Sequence, residues 1–155
     1  MQDHFMRRAI ELAIENVNAR RGGPFAALVV RGPDVVAEGT NLVTSTLDPT
    51  AHAEVTAIRA ACRALHSFQL TGCEIYSTCE PCPMCLGAIY WARPDRVYFA
   101  GTREDAAAVG FDDALIYDQL PVPPAARVIP MIGMMRAEGQ AAFEAWRNLA
   151  GRVAY

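Results

Sequence analysis

Residues 79–91 read Cys79-Glu80-Pro81-Cys82-Pro83-Met84-Cys85-Leu86-Gly87-Ala88-Ile89-Tyr90-Trp91. The stretch decides the fold because it joins two kinds of element. Just upstream, residues 73–78 read as a β-strand; residues 81–91 read as a helix opened by proline, whose missing N–H costs little at a helix start. A Cys-x-x-Cys pair therefore falls where a strand gives way to a helix. An earlier stretch has the same design: Asp48-Pro49-Thr50 leads into a helix over 51–65 that begins Ala51-His52-Ala53-Glu54. Asp48 or Thr50 is the expected cap.

Outward from these two helices the elements alternate. Residues 3–19 read as an amphipathic helix, with Asp3 as cap. Met6, Ile10, Ala13 and Val17 share one face, and Phe5, Ala9 and Leu12 lie beside it. Residues 25–31 and 35–38 read as a hairpin about Gly32-Pro33-Asp34, followed by a polar loop over 39–46. Residues 96–100 read as another strand, and 103–108 and 113–118 as short helices. A stiff Pro121-Val122-Pro123-Pro124 linker precedes an expected edge strand at 127–131 and a helix at 140–150. Helices alternating with strands predict an α/β protein, a sheet with helices on both faces.

Composition narrows the function. A chain of 155 residues, 52% apolar and 20% charged, suits one globular domain, and its apolar excess mildly favours a buried subunit interface. Net charge is −3, so no broad basic surface for nucleic acid is expected. All 14 basic residues are arginine, which excludes Schiff-base chemistry on lysine and a Walker-type phosphate loop. No signal peptide or membrane span is expected, and the cytoplasm is the default compartment. In that compartment five cysteines point to metal or thiol chemistry before disulfides.

One imidazole and two thiolates suit zinc and leave one position for water. Free N–H groups at a helix start also favour thiolate charge. Glu54, beside His52, can take a proton from that water and return it to a leaving group. His-x-Glu followed by Pro-Cys-x-x-Cys is the pattern of zinc nucleobase deaminases. Cys79 is either a competing ligand or a packed thiol; the packed reading is preferred because Cys82 and Cys85 share the helix start. Cys62 and Cys73 read as core residues, and His4 and His66 as surface or capping residues.

At residues 48–59 and 79–94, and again at Gly110-Phe111-Asp112-Asp113 and Phe143-Glu144-Ala145-Trp146-Arg147-Asn148 with Tyr155, the chain resembles the cytidine deaminase superfamily. It is most similar there to the bacterial guanine deaminases. The resemblance implies a three-layer α/β/α sandwich with a mixed five-stranded sheet. It implies one zinc ion per subunit, on His52, Cys82 and Cys85. A zinc-activated water would attack C2 of guanine, with Glu54 as proton shuttle, giving xanthine and ammonia. Asn41 and the Ala53 N–H would hold the base edge, Phe25 and Trp91 would wall the ring, and Asp113 would assist the departing amine. The partner would be a purine base in a homodimer; Tyr155, on a C-terminal segment that this family can exchange between subunits, would close the pocket of its own subunit or of its neighbour. Ala26 stands where close relatives are expected to carry glycine.

Other readings stay open on sequence alone. The same zinc motifs serve tRNA adenosine deaminases, which would need a basic face. Adenine or a cytokinin-type purine, cytosine and an amino-triazine are other candidate rings. A binding protein with structural zinc has no need of Glu54, and a redox Cys-x-x-Cys protein leaves His52-Ala53-Glu54 unexplained.

Overall fold

The computed structural model describes residues 3–155, which divide into two compact units, one through Asp113 and one from Ala114 to Tyr155. In the first unit the chain runs α1 (Asp3–Asn18), β1 (Ala26–Arg31), β2 (Asp34–Thr40), α2 (Val43–Thr46), α3 (Ala53–Ala64), β3 (Glu74–Cys79), α4 (Pro83–Ala92), β4 (Arg96–Gly101) and α5 (Arg103–Ala108). The strands form one sheet in the order β2-β1-β3-β4. β1 pairs antiparallel with β2 and β3, and β3 pairs parallel with β4.

The central strand β1 explains the layers. Its run Ala26-Ala27-Leu28-Val29-Val30 is buried on both faces, so it reads as continuous apolar sequence and not as an alternation. Ala26, Leu28 and Val30 pack with Phe5, Ala9, Leu12 and Ala13 of α1. Ala27 and Val29 pack with Ala53, Ala57, Ile58 and Ala61 of α3 and Ile89 and Ala92 of α4. One helix thus covers one face and two cover the other, the expected three-layer sandwich. Gly32 takes a φ of 58° in the two-residue turn between the paired Arg31 and Asp34, a conformation that favours glycine.

Several expectations need correcting. The sheet has four strands among the described residues, not five. Residues 127–131 pair with no strand. Their backbone is served locally: the Val128 N–H donates to Gln119 Oε1 and the Met131 N–H to the Pro124 carbonyl. Pro130 also removes one ladder donor from the segment. Neither Asp48 nor Thr50 caps α3. His52 takes the cap position, while Asp48 Oδ1 accepts the Thr50 N–H and hydroxyl within a tight turn. Part of the expected loop at 39–46 is helical, as α2. On α1 the buried face is Phe5, Ala9, Leu12, Ala13 and Asn16, rotated away from Ile10 and Val17, which are exposed. Asp3 lies in the first turn of α1 rather than before it.

The second unit holds α6 (Ala114–Gln119), a 3-10 turn (Pro124–Ala126) and α7 (Arg136–Asn148). None of its residues is buried. No helix among the described residues is long and apolar enough to cross a membrane.

Candidate zinc centre and active site

Two helix starts build the site. His52 and Cys82 are the N-cap residues of α3 and α4, so each stands where the backbone leaves an extended conformation for the helix. Pro83 opens α4, and Cys85, fully buried, follows on its first turn. The Nδ1 of His52 lies 3.6 Å from Cys82 Sγ and 3.5 Å from Cys85 Sγ. The three donor atoms lie within 4.8 Å of one another, and no other trio of potential ligands gathers among the described residues. Cys79 stays apart from this set: its thiol faces the Thr102 carbonyl at 3.5 Å, and burial pushes it up to about 11. It is half-buried and outside the ligand cluster.

Glu54, on the first turn of α3, is only 6% exposed. Its Oε1 accepts a hydrogen bond from Ser77 Oγ at 3.3 Å, and its Oε2 one from Cys85 Sγ at 3.3 Å. Burial pushes its carboxyl above the usual carboxylate range, against the pull of its own backbone N–H and of the Cys85 thiol. Cys82 is drawn down to about 4, first by the hydrogen bond from Cys85 and then by His52, against burial. Cys85 is pushed up by the same bond, by burial and by the charge of Glu54. His52 is raised, mainly by its hydrogen bond to Cys82. One thiolate is thus easily formed and a second is opposed by its neighbours. A cation among the three ligands would favour both thiolates beside the buried carboxylate, which is how a zinc donor set behaves.

The other sequence candidates fall as follows. Asn41 is buried at the end of β2; its Oδ1 accepts the N–H groups of Gly23 and Val43 at 3.2 and 3.3 Å. Ala53 is the first residue of α3, where backbone N–H groups have no partner within the helix. Phe25 precedes β1 and meets Phe111 edge-on, ring centroids 4.9 Å apart. Asp113 ends the first unit. Burial raises its carboxyl and Arg103 lowers it, while the Cys82 thiolate adds a smaller rise. Trp91, on the last turn of α4, is 62% exposed, and Tyr155, the last residue of the second unit, is exposed too. Ala26 turns its side chain to the α1 face of the sheet, where it is fully buried, so its methyl is taken up by core packing.

Three further residues at the site receive no role from the motifs, although Phe111 falls within the segment 110–113. Ser77, on β3, donates to the buried Glu54 carboxylate. Phe111 packs on Phe25. Asn16 reaches from α1 to the carbonyls of Gly23 and Asn41. The available signal was a polar residue at a buried period: Asn16 falls on the helical stripe of Phe5, Ala9 and Leu12, and Ser77 follows the buried Ile75 and Tyr76 on β3.

Comparison with known proteins agrees with this geometry. Residues 1–101 match the family described as the cytidine and deoxycytidylate deaminase zinc-binding region. The chain is 52% identical over 151 residues to the guanine deaminase of Bacillus subtilis, covering 97% of each. The X-ray structure of a guanine deaminase from that organism superposes with a TM-score of 0.97, at 51% identity, over 100% of this chain and 99% of the other. A guanine deaminase structure from Nitrosomonas europaea matches 94% of this chain and 84% of its own, at 31% identity and a TM-score of 0.69. The cofactor is zinc, with the His52, Cys82 and Cys85 cluster to hold it. From its zinc-ligand cluster to its sandwich, the chain belongs to the cytidine and deoxycytidylate deaminase family.

Proposed function

We propose that this protein is a guanine deaminase that hydrolyses guanine to xanthine and ammonia. The observation that carries the reading is the buried Glu54 carboxylate beside the His52, Cys82 and Cys85 cluster, in a chain similar to guanine deaminases along nearly its whole length. Zinc held by the three ligands supplies a Lewis acid that brings the pKa of water toward neutrality.

The remaining work falls to side chains. Glu54 takes a proton from the attacking water and delivers it to N3 of the base as the new C–O bond forms at C2. It then takes the remaining proton from the new C2–OH group and passes it to the exocyclic nitrogen, assisted by Asp113; as C2=O forms, the C2–N bond breaks and ammonia leaves. Burial raises the proton affinity of Glu54, which suits a group that must both accept and return a proton. Ser77 holds Oε1, so the carboxylate turns little between the two transfers. Asn41 and the Ala53 N–H donate to the base edge, and Phe25 and Trp91 flank the ring.

The second unit completes the site from a partner subunit. Leu115, Ile116, Leu120, Phe143, Trp146 and Leu149 are all exposed within their own chain, and a homodimer that exchanges this segment would cover them. Tyr155 then closes the partner's pocket. The cytoplasm suits the five free thiols, which its redox poise keeps reduced.

The test is ammonia release from guanine, adenine, cytosine, an amino-triazine, guanosine and a tRNA anticodon stem-loop. Release from guanine far above the rest is the expected result. Release from the stem-loop or another base in place of guanine would overturn the substrate.

A further inference from the structure

We propose that Asn16 is a positioning residue for Asn41, which it locks with its amide donors toward the substrate so that a 6-oxo purine is favoured over a 6-amino purine. The inference rests on the guanine deaminase reading and adds a determinant of specificity to it.

Asn16 lies on the last turns of α1 and is fully buried. Its Nδ2 donates to the Asn41 carbonyl at 2.8 Å and to the Gly23 carbonyl at 3.0 Å. Turning this carboxamide over would set its oxygen against two carbonyl oxygens, so the orientation is determined. Its Oδ1 is buried without a hydrogen-bond partner among the described residues. A buried amide oxygen left unpaired destabilises the fold, so an asparagine here makes physical sense through its two donors.

Those donors hold together the two segments that orient Asn41. The Asn41 N–H donates to the Phe25 carbonyl at 3.0 Å, and its Oδ1 accepts from Gly23 and Val43. Gly22 makes the approach possible: a Cβ there would run into the Asn41 carbonyl and lie 2.9 Å from Asn41 Oδ1. The Leu42 N–H, donating to the Ala51 carbonyl at 2.9 Å, ties the network to the residues that lead into His52. With Oδ1 committed to two backbone donors, Asn41 has only its Nδ2 hydrogens to offer. They suit O6 of guanine, an acceptor. Opposite a 6-amino group they meet another donor. Were Asn41 free to turn over, its oxygen could accept from that amino group and the discrimination would shrink.

The test compares guanine with 2,6-diaminopurine, which replaces the 6-oxo group with an amine. Dissociation constants are measured calorimetrically on zinc-loaded protein carrying Glu54→Gln, so that binding is read without turnover. Asn16→Leu removes the clamp. Gly22→Ala disturbs the same contact from the other side, and serves should Asn16→Leu fail to fold. Each should weaken guanine binding roughly threefold to tenfold, the scale of one hydrogen bond. Each should leave 2,6-diaminopurine unchanged or tighter and zinc content intact, so that the ratio of the two constants narrows. An unchanged ratio, or equal weakening of both bases, would assign Asn16 to stability alone and overturn the proposal while the guanine deaminase reading stands. Parent protein that binds neither base would overturn both together.

Discussion

Leu28 on β1 is fully buried, whereas Val128, beyond the Pro-rich linker, is 69% exposed. The contrast extends to the regions around them. Through Asp113 the chain closes two apolar clusters, one on each face of a four-stranded sheet, and hangs the zinc ligands and Glu54 on that frame. From Ala114 onward it is comparably rich in large apolar side chains and buries none. α7 shows why. Phe143, Trp146 and, just past its end, Leu149 form one stripe at helical spacing, and a stripe is stabilising only when another surface covers it. The first region is a scaffold that buries its own apolar faces, and the second leaves its apolar side chains exposed, as the proposed exchange between subunits requires.

The contrast can be broken at several points. The largest effect is expected in the first region. Cys82→Ser should lose zinc and turnover together, read by metal analysis and ammonia release; full zinc content would remove Cys82 from the ligand set. Glu54→Gln comes next: zinc stays bound while kcat falls by about 10²–10⁴, the usual worth of a proton-transfer group. Undiminished turnover in zinc-loaded Glu54→Gln would end the shuttle assignment. In the second region, Phe143→Glu with Trp146→Glu puts charge on the α7 stripe. Sedimentation should then show monomers in place of dimers, with turnover lowered by up to roughly 10²-fold through a misplaced Tyr155. A double variant that stays dimeric and fully active would contradict a partner-dependent tail. The smallest effects are on stability. Leu28→Ala should cost about 2–5 kcal/mol in denaturant unfolding. Val128→Ala, made in the monomeric double variant, should cost no more than about 0.5 kcal/mol.

The same contrast marks how far the sequence could be read. His52, Glu54, Cys82 and Cys85 were legible because each motif is short and opens a helix, so local spacing carries the chemistry. The three layers were legible from alternating elements, and the burial of β1 on both faces agrees with its unbroken apolar run. Asn16 and Ser77 were hidden because their partners lie 25 and 23 residues away, and only the packed sheet brings them together. The cap of α3 was misread because His52 itself occupies the cap position, drawing Asp48 and Thr50 into a turn of their own. No fifth strand forms among the described residues. Residues 127–131 follow a Pro-rich linker and contain Pro130, and their local hydrogen bonds leave no ladder to join.

The most direct test of the central claim is a zinc titration of chelated protein, with xanthine formation from guanine followed at each step. The account predicts that chelation stops the reaction and that the rate returns in proportion to bound zinc, reaching its full value at one ion per chain. Xanthine formation that persists without zinc, or no xanthine at full zinc occupancy, would contradict it.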